Sequence, residues 1–367
     1  MRVLYVATVV KTHIMEFHLP YLKMLKDMGW ETAVAARNDY SESEKCDIPF
    51  CDVYYDIPFE RNPLKPGNIK AYKMLKRVIE DGQFDIIHCH TPVGAMLTRI
   101  AARKVRKKGA RVFYTAHGFH FYSGAPLLNW LIYYPVERIL ARKTDVLITI
   151  NCEDFKRAQK FKAGKTVYAP GIGIDTKRFS QHACDSDKIR KELGIPKNGK
   201  MLLSVGEVNK NKNHRVVIEA LPSLDNCWYV ICGQGPLMEQ HVERAKQLGV
   251  QNRVLFVGYR TDVEDFYQAA DIFVFPSFRE GLPVALMEAM ASEIPCVSAR
   301  NRGTNDLMEN SPFLFVANDK KDLIEKVNRA LKEDVSEEVL RNTSRLKKFD
   351  ISNVKEIVKN EYLASIR

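Results

Sequence analysis

Short apolar runs of strand length alternate along the chain with stretches whose apolar residues recur every three or four positions. In the first half the runs at residues 3–8, 32–36, 86–89, 111–115 and 146–150 predict strands. Between the first two, Phe17, Tyr21, Met24, Leu25 and Met28 fall on one side of a helix, which Gly29 stops. Glycine and proline around residues 168–175 break the pattern and mark a hinge. The same grammar then restarts. Strands are expected at 201–205, 228–232, 254–257, 272–275 and 296–298, with helices at 215–221, 238–248, 263–269 and 286–291 between them. Residues 320–348 read as solvated helices and 352–366 as a last helix. Alternation of this kind is the signature of parallel α/β layers. Two sheets in series predict two Rossmann-like domains on either side of a central cleft, with the strand-following loops of both sheets lining it.

Length supports that division, since 367 residues exceed one ordinary core. The opening apolar run is too short for an export signal, and no segment reaches the roughly 18 uninterrupted apolar residues of a membrane span. A cytoplasmic chain is expected. Eight scattered cysteines without a Cys-x-x-Cys pair predict reduced thiols rather than a disulfide framework or a zinc knuckle. Charge adds an asymmetry: residues 1–180 hold 29 Lys and Arg against 18 Asp and Glu, whereas the rest hold 27 of each. No acid occurs between Ile86 and Val136, a span containing Arg99, Arg103, Lys104, Arg106, Lys107, Lys108 and Arg111. An aromatic and aliphatic stretch follows at residues 119–134. Cations beside exposed apolar residues fit a peripheral, anionic membrane surface.

The most telling chemistry is at residues 275–288, where an apolar strand leads through Ser-Phe-Arg-Glu280-Gly281-Leu282-Pro283 into a helix carrying Glu288. Proline suits a first helical turn, so the helix is expected to begin near Gly281. Its free N–H groups and positive dipole end would seat a diphosphate. Glu280 would then stand just ahead of that seat, with Glu288 about two turns further on, roughly 10 Å along the axis. A nucleotide-sugar runs in the same order, from sugar through diphosphate to ribose.

This arrangement resembles the E-x7-E motif of the retaining glycosyltransferases of family 4, which have the GT-B fold, and the resemblance extends over nearly the whole chain. It implies that Glu280 contacts donor-sugar hydroxyls and that Glu288 holds the ribose. Residues 1–170 would be the acceptor domain, 171–345 the nucleotide-sugar donor domain, and 346–367 a helix returning to the first domain. After the first donor-domain strand, Lys212 matches the family's diphosphate-binding lysine. Glu207 stands where the family has arginine, and either Lys210 compensates or Glu207 fixes a neighbouring cation. Gly233 and Gln234 match a Gly-x-Gly-Pro loop near the donor, and Tyr259 and Arg260 fall where the nucleobase is held. Arg302-Gly-Thr-Asn-Asp306 falls where the family has a glycine-rich turn after its last strand. His117 matches a histidine that reaches the reacting sugar through its carbonyl or imidazole. Lys11, Thr12 and His13 replace a glycine-rich turn and, with His90, are expected on the acceptor side.

The His88-x-His90 pair and His117 with His120 raise the question of a metal. Alternate strand residues point to opposite faces and no cysteine or carboxylate completes a set, so no metal is expected. No cofactor is expected either, the nucleotide-sugar being a substrate. With no carboxylate nucleophile in place, the resemblance implies attack from the leaving-group face, the diphosphate helping to deprotonate the acceptor. Residues 17–22, 35–40 and 57–63 particularly resemble bacterial exopolysaccharide and capsule transferases of the EpsD type. That implies a UDP-linked hexose or N-acetylhexosamine donor and a lipid-linked saccharide acceptor at the inner face of the cell membrane. A nucleotide-sugar 2-epimerase shares the fold but lacks the E-x7-E arrangement. A nonenzymatic basic protein binding nucleic acid is the other alternative, against which the cluster lacks a recognition helix or RNP signature.

Overall fold

The structure is a computed structural model that describes residues 1–41, 43–182 and 184–366. The chain divides into two units, residues 1–173 with 351–367 and residues 174–350. The first holds seven parallel strands: β1 (Arg2–Val9), β2 (Glu31–Arg37), β3 (Val53–Asp56), β4 (Ile86–Cys89), β5 (Arg111–Ala116), β6 (Val146–Thr149) and β7 (Lys165–Tyr168). They run in the order β3-β2-β1-β4-β5-β6-β7. The five expected strands are the central ones, which are mostly apolar because both faces are covered. Leu4 and Val6 on one face pack with Leu75, Ile79 and Val112. Val3 and Tyr5 on the other pack with Leu22, Leu25 and Phe113.

The sequence reading missed β3 and β7 for a physical reason. Both are edge strands: no residue of β3 is fully buried, and in β7 only Val167 is. Neither therefore needs a run of apolar side chains. The last helix, Ile351–Ser365, lays Val354, Val358 and Tyr362 into the Tyr5 face, a stripe at i, i+4 and i+8. Tyr362 and Tyr5 share a hydroxyl hydrogen bond of 2.7 Å.

The second unit has six parallel strands: β8 (Lys200–Val205), β9 (Cys227–Cys232), β10 (Val254–Gly258), β11 (Ile272–Phe275), β12 (Cys296–Ala299) and β13 (Leu314–Phe315). Their order is β10-β9-β8-β11-β12-β13, so the direction of winding reverses between β8 and β11. Ligands of open α/β sheets collect at such a reversal, outside the carboxyl ends of the strands. Two expectations change in this unit. β13 makes β12 the penultimate strand. Residues 302–306 are not a turn but part of a helix, Arg302–Leu307, whose cap is Asn301. The Asn301 side chain accepts from the N–H groups of Gly303 and Thr304, while the Thr304 hydroxyl accepts from the Asn301 N–H.

Candidate functional site

The loops at the reversal are stitched together by asparagines. Asn211 donates to the Arg279 carbonyl at 2.9 Å, and Asn213 donates to the carbonyls of Pro276 and Ala317. Asn301 donates to the Ser277 carbonyl at 3.0 Å. The segments after β8, β11 and β12 thus form one framework. Asn213 itself has φ +53, a left-handed conformation that asparagine tolerates better than most residues. Sequence reasoning singled out Lys212, Lys210 and Glu207 in this stretch and missed the asparagines. Their recurrence at 209, 211 and 213 was the available signal.

Within this framework Lys212 and Glu280 meet across the reversal, Nζ to Oε1 at 2.9 Å. The pair is only partly covered, at 21% and 17% exposure. Lys212 also lies over the Phe275 ring and against Gly206. At Gly233 a Cβ would stand 1.9 Å from the Gly206 carbonyl, so only glycine permits the loops after β8 and β9 to approach this closely. Gly233 bridges in turn to Gly258, which brings the loop after β10 alongside. Gln234 and Tyr259 are exposed, and Arg260 is paired with Asp262 at 2.8 Å.

The helix after β11 begins at Val284 rather than near Gly281, with Pro283 as its cap residue. Proline pushes the residue before it out of helical conformation, so Leu282 and Gly281 stay in the loop. Glu288 consequently sits about 6 Å along the axis from the helix start, on its second turn. Its position is set by Tyr267, whose hydroxyl donates to Glu288 Oε2 at 2.9 Å and to the Ala285 carbonyl at 3.1 Å. Burial and the neighbouring carboxylate hold the Tyr267 phenol well above its usual pKa, so it remains a donor. Nothing in the sequence reading pointed to Tyr267. Glu207 and Lys210 are both exposed, and the Glu207 carboxylate accepts from the Asn209 side chain at 2.8 Å. Lys210 makes no ion pair among the described residues.

The carboxyl ends of β1, β4 and β5 in the first unit carry a different chemistry. Residues after β1 wind into a π-helical turn, Val10–Met15, which turns His13 toward His18 and His117, with ring centroids 4.9 and 5.2 Å away. His18 and His90 centroids are 4.0 Å apart, and His90 Nδ1 lies 3.2 Å from His117 Nε2. The expectation that His88 and His90 face apart is overturned, since their rings are 4.2 Å from each other. His90 lies beyond the end of β4, where strand alternation no longer sets direction. His88 is held by Thr115 at 2.8 Å and by Tyr362. His120 is outside the group, stacked on Tyr133. Loss of solvent contact lowers the pKa of His13 to about 4 and those of His88 and His117 to about 3, leaving neutral rings at pH 7. Lys11 and Thr12 turn toward other partners: the Lys11 ammonium pairs with Glu44 at 2.6 Å, and both residues hydrogen-bond Asp39.

The basic span is not uniformly a surface. Arg99 is buried and bonds Glu137 through both terminal nitrogens, at 2.8 and 3.1 Å. Arg106 bonds Asp145 through Nε and one terminal nitrogen, at 3.0 and 2.8 Å. Arg103, Lys104, Lys107 and Lys108 are exposed. The following apolar stretch forms a helix, Leu127–Ala141, with Trp130, Tyr133 and Tyr134 turned to the core. Leu127, Leu128, Leu131, Ile132 and Ile139 are exposed, at 49–74%. Beside this helix is a cavity of about 620 Å³ lined by residues that include Thr12, His13, Leu64, Met96, Tyr133 and Glu137.

Comparison with known proteins accords with this geometry. Residues 2–151 match the family described as Glycosyl transferase 4-like, and residues 185–347 match that described as Glycosyl transferases group 1. The EpsD protein of Bacillus subtilis (strain 168), whose name gives it as a glycosyltransferase, is 40% identical over 86% of this chain and 83% of its own length. The UDP-Gal:alpha-D-GlcNAc-diphosphoundecaprenol alpha-1,3-galactosyltransferase of Escherichia coli is 30% identical over 68% of this chain and 66% of its own. Among solved structures, HepE of Anabaena in complex with UDP and glucose superposes with a TM-score of 0.78 at 17% identity, covering 99% of this chain and 100% of that one. These matches set aside both the epimerase and the nonenzymatic binding protein. Two parallel-sheet units of the GT-B kind, both family matches and the EpsD relationship together place the chain among the group 1, family 4-like glycosyltransferases, and it is an enzyme of that class.

Proposed function

We propose that this glycosyltransferase moves a hexose or N-acetylhexosamine from a UDP-linked donor to a lipid-linked saccharide, with retention of anomeric configuration, in exopolysaccharide or capsule synthesis. The observation that carries this reading is the partly covered Lys212–Glu280 pair at the strand reversal, with Glu288 one helical turn beyond Val284. Lys212 neutralises charge on the departing diphosphate, and the N–H groups at the start of the Val284–Ala291 helix add to it. Glu280 accepts from donor-sugar hydroxyls and Glu288, steadied by Tyr267, from the ribose. Gly233 and Gln234 flank the phosphates, Tyr259 and Arg260 the nucleobase, and Gly281 and Leu282 the sugar. Exposed Lys210 supplies the charge that Glu207 removes. His117 contacts the reacting sugar, while Lys11, Thr12, His13 and His90 shape the acceptor side. The transfer itself requires no divalent cation.

The acceptor class is supported by two things: the E. coli relative, whose name specifies a diphosphoundecaprenol saccharide, and the exposed leucine face of the Leu127–Ala141 helix. That face enters the headgroup region of the inner membrane surface while Arg103, Lys104, Lys107 and Lys108 meet anionic lipid. Among the described residues no helix is long and apolar enough to cross a membrane. The test is transfer from a panel of UDP-sugars to undecaprenyl-diphosphate saccharides in mixed vesicles, with and without EDTA. Product with one UDP-sugar, undiminished by EDTA and reduced when Leu127, Leu128 and Leu131 become Ser, is expected. Equal turnover on water-soluble and lipid-linked acceptors in that leucine variant and in wild type would remove the membrane component.

A further inference from the structure

The histidines of the first unit have more nitrogen than their hydrogen bonds use. His13, His18 and His117 each offer a ligand atom, and these atoms all lie within 4.8 Å of one another. Nε2 of His13, of His18 and of His90 is buried without a hydrogen-bond partner among the described residues. A buried polar nitrogen left unpaired is costly, and two of these unpaired rings, His13 and His18, belong to the group whose ligand atoms lie together. We propose that His13, His18 and His117 bind one Zn²⁺-like transition-metal ion. This goes beyond the transfer reaction, although two of the three ligands, His13 and His117, are also residues of the proposed acceptor side and sugar contact.

Chemistry narrows the ion. The set is all imidazole, with no carboxylate, which suits Zn²⁺, Co²⁺, Ni²⁺ or Cu²⁺ and is poor for Mg²⁺ or Ca²⁺, which prefer oxygen. Metal–nitrogen bonds of about 2.0–2.1 Å in a tetrahedral site place ligand nitrogens roughly 3.3 Å apart. Closing from within 4.8 Å takes small side-chain rotations, and His13, in the π-helical turn, is half-buried and has room to make them. Support behind the ligands is also present. His90 hydrogen-bonds His117, and His88, fixed by Thr115 and Tyr362, packs behind His90. Partners of this kind orient metal-bound imidazoles. Three protein ligands leave a fourth position for water or another small ligand.

Titration of the full chain, stripped of metal by chelation, tests this with Co²⁺ and Zn²⁺. One equivalent of Co²⁺ should give the intense visible bands of a four-coordinate site, which one equivalent of Zn²⁺ displaces and excess Mg²⁺ does not. His13→Gln and His18→Gln should each weaken Zn²⁺ binding by more than the roughly 10- to 100-fold that loss of a supporting partner costs. His120→Gln should bind as wild type. Absence of four-coordinate bands in wild-type protein would overturn the proposal whatever the variants do. So would one-equivalent Zn²⁺ binding of unchanged affinity in a folded His13→Gln, His18→Gln double variant.

Discussion

The Arg99–Glu137 pair of the first unit and the Lys212–Glu280 pair of the second have nearly the same contact distance, 2.8 and 2.9 Å. Their surroundings differ in every other respect. Arg99 has no exposed side-chain surface, bonds Glu137 through two nitrogens and the Ala95 carbonyl through its third, and stacks on Tyr114 at 4.1 Å. Lys212 makes one contact to Glu280 and keeps about a fifth of its side chain open. A buried guanidinium bonded through all three of its nitrogens has little capacity left for a ligand. A lysine held by a single carboxylate oxygen can exchange part of that contact for a phosphate. The first pair therefore suits folding and the second suits the proposed transfer, although both read in the sequence as a basic residue and an acid.

The carboxyl-end loops of the two sheets extend the contrast. In the second unit they are charged and joined by asparagines, and in the first they are neutral imidazoles packed on one another. Acid should separate them with the largest effect. Folded-state pKa values of about 3 to 4 for His13, His88 and His117 lie below the unfolded value near 6.5. Above pH 6.5 both states are unprotonated at these rings and they add no pH dependence. As pH falls below 6.5 the unfolded chain takes up protons that the folded chain refuses, so stability is lost, by up to about 1.4 kcal/mol per pH unit for each ring. Denaturant melts at pH 7, 6 and 5 with EDTA present should show a steep decline, made shallower by His88→Gln. A flat profile would mean that the rings protonate in place.

The next two effects set one ion pair against the other. Glu137→Ala leaves a buried guanidinium without its carboxylate and should cost about 3–5 kcal/mol of stability. Lys212→Ala should leave the melting temperature almost unchanged yet reduce kcat by about 100- to 1000-fold, the usual loss for one charge-stabilising donor. Chemical denaturation and steady-state turnover on both variants decide the matter. If Lys212→Ala unfolds the protein, or Glu137→Ala is as stable as wild type, the division into a structural and a functional pair fails.

Much of this was legible in the sequence, and what was not has physical causes. The central strands of both sheets showed as apolar runs because they are covered on both faces, and the edge strand β10 showed because it is Val-Leu-Phe-Val, whereas the edge strands β3, β7 and the two-residue β13 carry too little pattern. Glu280, Lys212 and Glu288 were singled out through their spacing and context, and the structure brings Lys212 and Glu280 together. Of their supports, Asn211 and Asn213 show only as a short recurrence of asparagine, while Asn301 and Tyr267 act through a backbone carbonyl and a single hydroxyl that leave no periodic trace. The histidine cluster was misjudged because strand alternation was carried one residue too far, past Cys89. His13 and His18 join it only through the π-helical turn after β1, which no periodicity announces.

The account rests on the loops of the second unit holding the nucleotide part of the donor, and calorimetric titration of UDP into wild type and Glu288→Ala tests that most directly. Wild type should bind UDP, and the variant, lacking a charged acceptor for the ribose hydroxyls, should bind it about 10- to 100-fold more weakly, a loss of roughly 1.5–3 kcal/mol. Equal affinity in the two proteins, with the variant folded, would contradict the placement of the nucleotide on which the rest of the site is built.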